Sequence, residues 1–307
     1  MYFAPVLILT LNRDEHFIKC IESLKKCTHA QQTDLIIALD YPFKAEHWDG
    51  YNKIKDYINA ITGFKEVKII ERTENYGEVK NSVLSQEYVL SQYDRLIYTE
   101  DDNEFSTNFL DYLNKGLDRF KTDTSVAAIC SLGSIIQAPM DYPNFMYIRG
   151  FSAWGFATWK DRLGRQYFSE TDLNRLWNDR GIRRRVKKTS HICYYSLLQH
   201  VYFNKDMTGD AAISLDLAIN GRCCIYPTIS KVRNFGHDGS GIHGGNRDDS
   251  IYRQLELDPE DSFKFSEFNA KTNKKLERII RAHDHYTLAK QFKMLIKYRL
   301  PVIYRKA

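Results

Sequence analysis

Four short apolar runs, "APVLILTLN", "DLIIALD", "KEVKIIERT" and "RLIYTED", follow one another through the first hundred residues. Each is separated from the next by a segment long enough to form a crossover helix. Between the first two runs, Phe17, Ile18, Ile21 and Leu24 recur at helical spacing, and "AEHWDGYNKIKDYINAI" and "GEVKNSVLSQEYVLSQY" fill the next two gaps. Strands joined by crossovers of this length pair in parallel, so the pattern predicts a doubly wound β-α-β-α-β-α-β arrangement of the α/β class. Such sheets take their ligands outside the carboxyl ends of the strands. Every one of those ends is polar here: Thr10, Asn12 and Arg13, then Asp40, then Glu74 to Gly77, then Glu100, Asp101 and Asp102.

The last of these ends raises a physical question. Three consecutive acids repel one another unless a cation or hydrogen-bond donors stand among them. A divalent ion meets that need, because Mg²⁺ or Mn²⁺ takes carboxylate oxygens and bridges to substrate phosphates. The stretch also reads as an acidic turn ahead of the helix "STNFLDYLNKGLDRF", with Ser106 or Thr107 as its cap. The polar residues at the other strand ends favour the ligand reading.

Bulk properties set the limits. A chain of 307 residues, 43% hydrophobic and 27% charged, suffices for one large core or two modest ones. No apolar run approaches the roughly 18 to 20 residues that span a bilayer, and the first residues lack a basic leader, so the expected location is cytoplasmic. Six cysteines without CxxC spacing read as reduced core residues. A net charge of +5 is too mild to argue for nucleic acid. The cations concentrate in "RGIRRRVKK" (Arg180 to Lys188) and beyond residue 250. There the apolar residues have helical spacing and Pro301 ends the last helix, which predicts a basic amphipathic tail that either docks at the inner face of a membrane or packs back on the domain.

Taken in order, "PVLILTLNR", Asp40, "ENYGEVKNS" and "YTEDDNEFSTNFLDYL" resemble the nucleotide-sugar domain of GT-A glycosyltransferases. The nearest types are family 2 and the N-acetylglucosaminyltransferase I type, whose metal motif is E-D-D. "RGFSAWGFATWKDRL" and "CIYPTISKVRNFGHDGSGIHGGN" resemble a bacterial, hemolysin-like subgroup, and the resemblance spans residues 4 to 247. It implies a Rossmann-like domain with a mixed sheet: a nucleotide-sugar half over residues 1–125, an acceptor and catalytic half over 126–250, and a basic helical extension over 251–307.

It also implies roles. Thr10, Asn12, Arg13, Asp40, Asn75, Gly77, Asn81, Glu100 and Asp101 would bind the donor, with Asp102 as the metal ligand. Asp40 alternatively closes the turn "DYPF". In the glycine-rich stretch His243 ranks above His237 as a second ligand to Mn²⁺ or Mg²⁺. An inverting transfer needs a base for the acceptor hydroxyl. Asp210, which aligns with the acid opening a helix in the subgroup, is the choice over Asp206 and Asp216. Here Gly209 stands where the subgroup has tryptophan, and Asp210 or Thr208 also suits a helix cap. Trp154 and Gly155 combine an aromatic face with room for a sugar, and mark the acceptor side. The expected function is metal-dependent transfer of a sugar, UDP-linked for preference, to a glycan or lipid-linked acceptor, as in hexosyltransferases of polysaccharide biosynthesis. A nucleotidyltransferase would need a glycine-rich phosphate loop after the first strand, which "LTLNRDEHF" does not offer. A catalytically silent carbohydrate-binding or surface-interaction protein is the alternative outside enzymes.

Overall fold

The apolar runs become strands β1 (Val6–Thr10), β2 (Asp34–Leu39), β3 (Glu66–Glu71) and β4 (Arg95–Glu100), all parallel in the order 3-2-1-4. The computed structural model describes residues 2–133, 143–239, 250, 252–267 and 296. Burial explains the composition of these strands. All six residues of β2 are buried, as befits a strand covered on both faces, whereas β3 at the edge leaves Ile69 exposed. Helices α1 (Asp14–Lys25), α2 (His47–Ile58) and α3 (Gly77–Gln92) form the crossovers. Phe17, Cys20, Ile21 and Leu24 of α1 are buried in one core cluster with Tyr51 and Ile54 of α2, while Val89 and Leu90 of α3 pack in the cluster on the opposite face.

After β4 the chain departs from a simple alternation. A short strand β5 (Asn103–Phe105) precedes α4 (Phe109–Arg119). The "EDD" stretch is therefore no cap for that helix, whose N-cap is Asn108 with no side-chain cap bond; Ser106 and Thr107 lie upstream of it. Then come β6 (Val126–Cys130), β7 (Phe145–Ile148), β8 (Phe156–Trp159) and β9 (Tyr167–Phe168). Three helices follow, α5 (Glu170–Asn178), α6 (Arg180–Thr189) and α7 (His191–Phe203), and then β10 (Met207–Thr208), α8 (Gly209–Asn220), β11 (Cys223–Pro227) and β12 (Val232–Asn234).

The result is one mixed eight-stranded sheet in the order 3-2-1-4-8-6-11-7. Strand β8 runs antiparallel between β4 and β6, which places Phe156 and Trp159 in the core and brings the preceding turn, residues 152–155, to the carboxyl end of β4. Strands β5 and β12 form a separate antiparallel ribbon just beyond β4, and β9 pairs with β10. Helices α5 to α7 build a third apolar cluster with α8.

All six cysteines are free and five of them are buried. Among the described residues no helix is long and apolar enough to cross a membrane. Residues 252–267 are not helical, which corrects the start of the expected helical extension. Pro259 interrupts it, and Phe263 and Phe265 alternate inward onto Tyr112 and Phe120. Buried Lys231 pairs with Asp258 and fastens this segment down. The remainder of the expected tail, with Pro301, lies outside the described residues apart from residue 296.

Candidate active site

The acids after β4 are compensated from within the chain. Arg13, in the turn between β1 and α1, sends one guanidinium nitrogen to Asp101 and the other to Asp102 Oδ2 at 2.8 Å. Thr10 donates its hydroxyl to Asp101 Oδ2 at 2.8 Å, and Asn234 of β12 donates to Asp102 Oδ1 at 2.7 Å. Both acids are nearly sealed, Asp101 at 3% and Asp102 at 7% exposure. The repulsion that the sequence shows is thus relieved by a guanidinium, two hydrogen-bond donors and the ribbon. Burial raises the pKa of Asp101, and Arg13 opposes that rise. Gly236 lies directly against Asp102: a Cβ there would stand 2.2 Å from Oδ2, so only glycine lets the carboxylate occupy this place.

Glu100 differs from its two neighbours. Its carboxylate has no hydrogen-bond partner among the described residues, and burial, then Asp102, Asp210 and Glu78, push its pKa well above the usual carboxylate range. Asp210 belongs to the same acidic group. It sits in the first turn of α8 and its Oδ2 accepts the Ala153 N–H at 3.0 Å, so it is tied to the turn before β8 rather than acting as a cap. Burial, countered by that hydrogen bond and reinforced by Glu78, raises it to about 6. Tyr98 lies within electrostatic reach of Glu100, Glu78 and Asp210, and Tyr226 within reach of Asp210. Glu78, in the first turn of α3, is a residue that the sequence reading missed; its only sequence signal was its place one residue after Gly77.

Other expected donor residues have internal partners. Asp40 accepts from the N–H groups of Tyr41, Tyr76 and Gly77, each at 2.9 Å, and from Asn75 Nδ2 at 3.3 Å. It clamps the turn after β3, and closing its own turn is part of that work, so its oxygens are not left for a base or ribose. Asn75 also donates to Tyr41 O at 2.7 Å. Gly77 has φ +71, the left-handed conformation that lets its N–H reach Asp40. Asn81 is buried at 2% and holds Arg72 Nε at 2.9 Å, while Ser85 holds the same guanidinium at 2.8 Å. Arg72, presented at the end of β3 and lying over Tyr76, is a second missed residue. Asn12 touches α2 through its carbonyl, against which Gly50 fits without a side chain.

On the acceptor side, Gly155 is tightly packed against the core. It has φ +75, and a Cβ would meet Ser131 Oγ at 2.5 Å and Phe109 at 2.9 Å. Trp154 packs edge-on to Tyr252, with centroids 4.7 Å apart, and to His237 at 5.8 Å. His237 Nε2 is buried without a hydrogen-bond partner among the described residues. His243 lies outside the described residues. Asp206 accepts from Tyr167 Oη and Glu170 N, and Asp216 stands inside α8, so neither joins the group around Glu100.

The chain matches no protein-family model and no curated protein. Solved structures similar to it include TarS 1-349 of S. aureus, at 12% identity and a TM-score of 0.36 over 52% of this chain and 47% of that one. A second structure of TarS 1-349, in complex with UDP, matches at 13% identity and a TM-score of 0.34, over 51% of this chain and 46% of that one. The mannosyltransferase PcManGT of Pyrobaculum calidifontis, in complex with GDP-Man and Mn²⁺, matches at 12% identity and a TM-score of 0.41 over 70% and 68%. The chain thus spans about half the length of the TarS chains. Scores this low carry no structural weight, and the mixed α/β architecture stands on its own sheet order.

Proposed function

We propose that this protein is a glycosyltransferase that moves a sugar, UDP-linked for preference, from a nucleotide diphosphate donor to a hydroxyl of a glycan or lipid-linked acceptor with inversion. The observation that carries this is the opposition of two kinds of acid at one sheet edge. Asp101 and Asp102, between β4 and β5, are locked by Arg13, while Asp210 stands in the first turn of α8 with its pKa raised to about 6. A carboxylate tuned toward neutrality is suited to take a proton from an attacking hydroxyl. The Ala153 N–H fixes the carboxylate in place, and Glu78 raises its basicity. A nucleotidyltransferase gains no support, because the turn after β1 has no glycine and directs its one cation, Arg13, at the acids.

The residues fit a divalent ion that arrives with the donor. Among those described, no group of three or more His, Cys, Asp or Glu could hold a metal ion by itself. Yet Asp102 keeps a lone pair on each oxygen, and one residue beyond Gly236 the imidazole of His237 carries an orphaned buried nitrogen. Mg²⁺ and Mn²⁺ commonly bind through one or two protein ligands and complete their shells with substrate phosphates. Asp102 and His237 would hold the ion, with His243 as the further choice from the sequence, and the ion would neutralise the leaving diphosphate. In this reading residues 1–125 serve the donor and 126–250 the acceptor and catalysis, with Arg13 and the acids after β4 in the first part and Asp210 in the second.

The test is a screen of nucleotide sugars with Mn²⁺ or Mg²⁺, read as donor hydrolysis and thermal stabilisation, with Asp102→Ala as control. Stabilisation by one nucleotide class, lost in the variant and on chelation, is expected. A flat response to every donor in both metals would overturn the enzyme reading and favour a carbohydrate-binding protein.

A further inference from the structure

Helix α6 is electrostatically at odds with the rest of the surface. Its sequence, RGIRRRVKKT, holds six cations and no acid, which exceeds the +5 of the whole chain. Arg180 and Arg184, Arg183 and Lys187, and Arg184 and Lys188 each stand four residues apart, where like charges destabilise a helix. Arg180 also occupies the first turn, the end that disfavours a cation; the cap bond from Ile182 N to Asp179 at 2.9 Å sets one acid against it. What α6 gives the fold is Ile182 and Val186, one turn apart, both turned into the cluster with α5 and α7. Arg183 bonds to Trp177 O and Arg185 to Ile219 O, but Arg180, Arg184 and Lys188 have no hydrogen bond or ion pair among the described residues. Elsewhere exposed lysines meet acids, as in Lys53 with Asp49, Lys55 with Glu71 and Lys80 with Glu74.

We propose that this face of α6 docks the protein on an anionic phospholipid surface. Arg180, Arg184, Arg185, Lys187 and Lys188 are all exposed. Clusters of four to eight such cations are what anionic headgroups attract, with a gain of about fivefold in binding for each. Because Ile182 and Val186 face inward, the contact is electrostatic, with no apolar insertion, and weakens as salt rises. The docking does not depend on the proposed reaction. It has a geometric consequence for it all the same: Arg185 touches the far end of α8, and Asp210 lies nine residues back along that helix, about 14 Å away at 1.5 Å per residue.

The experiment is co-sedimentation of the full chain with phosphatidylcholine vesicles, with and without phosphatidylglycerol, at low and high salt. Binding to the anionic vesicles alone, falling with salt and weakened by at least about twentyfold in the Arg184→Glu/Lys188→Glu variant, is expected. The Arg184→Gln/Lys188→Gln variant gives a smaller loss in the same direction and serves if charge reversal disturbs folding. Equal binding by both variants and the wild type, equal binding to uncharged vesicles, or capture of soluble polyphosphate without any capture of vesicles overturns the proposal. So does loss of binding only when the tail lysines, Lys274 and Lys275, are reversed.

Discussion

Removal of Arg13 is the sharpest test of how the acidic strand end is held. In Arg13→Met, Asp101 and Asp102 lose their shared cation while Thr10 and Asn234 remain as their donors. The arginine side chain is only 22% exposed and its partners 4% and 8%, so water cannot take its place. Two charge-assisted hydrogen bonds to buried carboxylates, at roughly 1.5–3 kcal/mol each, agree with the roughly 3–5 kcal/mol lost when one partner of a buried pair is removed. The loss depends on pH. Burial already lifts Asp101 above its unfolded pKa and Arg13 restrains it, so the variant's folded state holds a proton that the unfolded chain releases. Stability then falls as pH rises from the unfolded to the folded pKa, and the deficit is larger at about pH 8 than at about pH 5. Urea unfolding of wild type, Arg13→Met and Arg13→Met/Asp101→Asn at both pH values measures this, with the double variant recovering part of the loss. A deficit below about 1 kcal/mol, equal at both pH values, would place the pair among weak surface contacts and refute the reasoning.

Other expectations follow from the same geometry. Asp210→Asn lowers transfer by about 10²–10⁴ with donor binding retained, and the wild-type kcat/KM rises with pH through about 6 as the carboxylate ionises, a limb absent from the variant. Gly236→Ala drives a methyl group against Asp102 Oδ2 and abolishes metal-dependent stabilisation by the donor, while far-UV circular dichroism stays that of the wild type. Asp40→Ala releases the three N–H groups it gathers and costs roughly 2–3 kcal/mol in urea unfolding, with faster proteolysis at residues 75–77.

How much of this was legible depends on the range of the interactions. The first four strands read directly because each is a run of Ile, Leu and Val bounded by polar residues, and the pairing of neighbours needs no distant information. Strand β5 was not legible: Asn103 to Phe105 look like the lead-in to a helix, and what makes them a strand is β12, some 130 residues later. Helix α6 read only as a charge run, since six cations in ten residues drew attention away from the two inward residues, Ile182 and Val186, one turn apart. At the site, the acids, Arg13 and Asp210 were all visible as types at strand and helix ends. That the arginine spans two of the acids, that Asp40 faces inward, and that Ala153 fixes Asp210 are matters of side-chain direction, which sequence spacing does not carry.

The partners of Asp102 have a consequence for how the chain comes to be folded. Arg13 precedes it by 89 residues and Asn234 follows it by 132, so both of its internal donors are present only after nearly the whole described chain is in place. Long-range closures of this kind form late, whereas β1 to β4 and their crossovers are local and form early. During synthesis β1 to β4 and the arginine emerge well before the strand that bears Asn234. A chain interrupted before β12 therefore has its first four strands but no finished acidic edge.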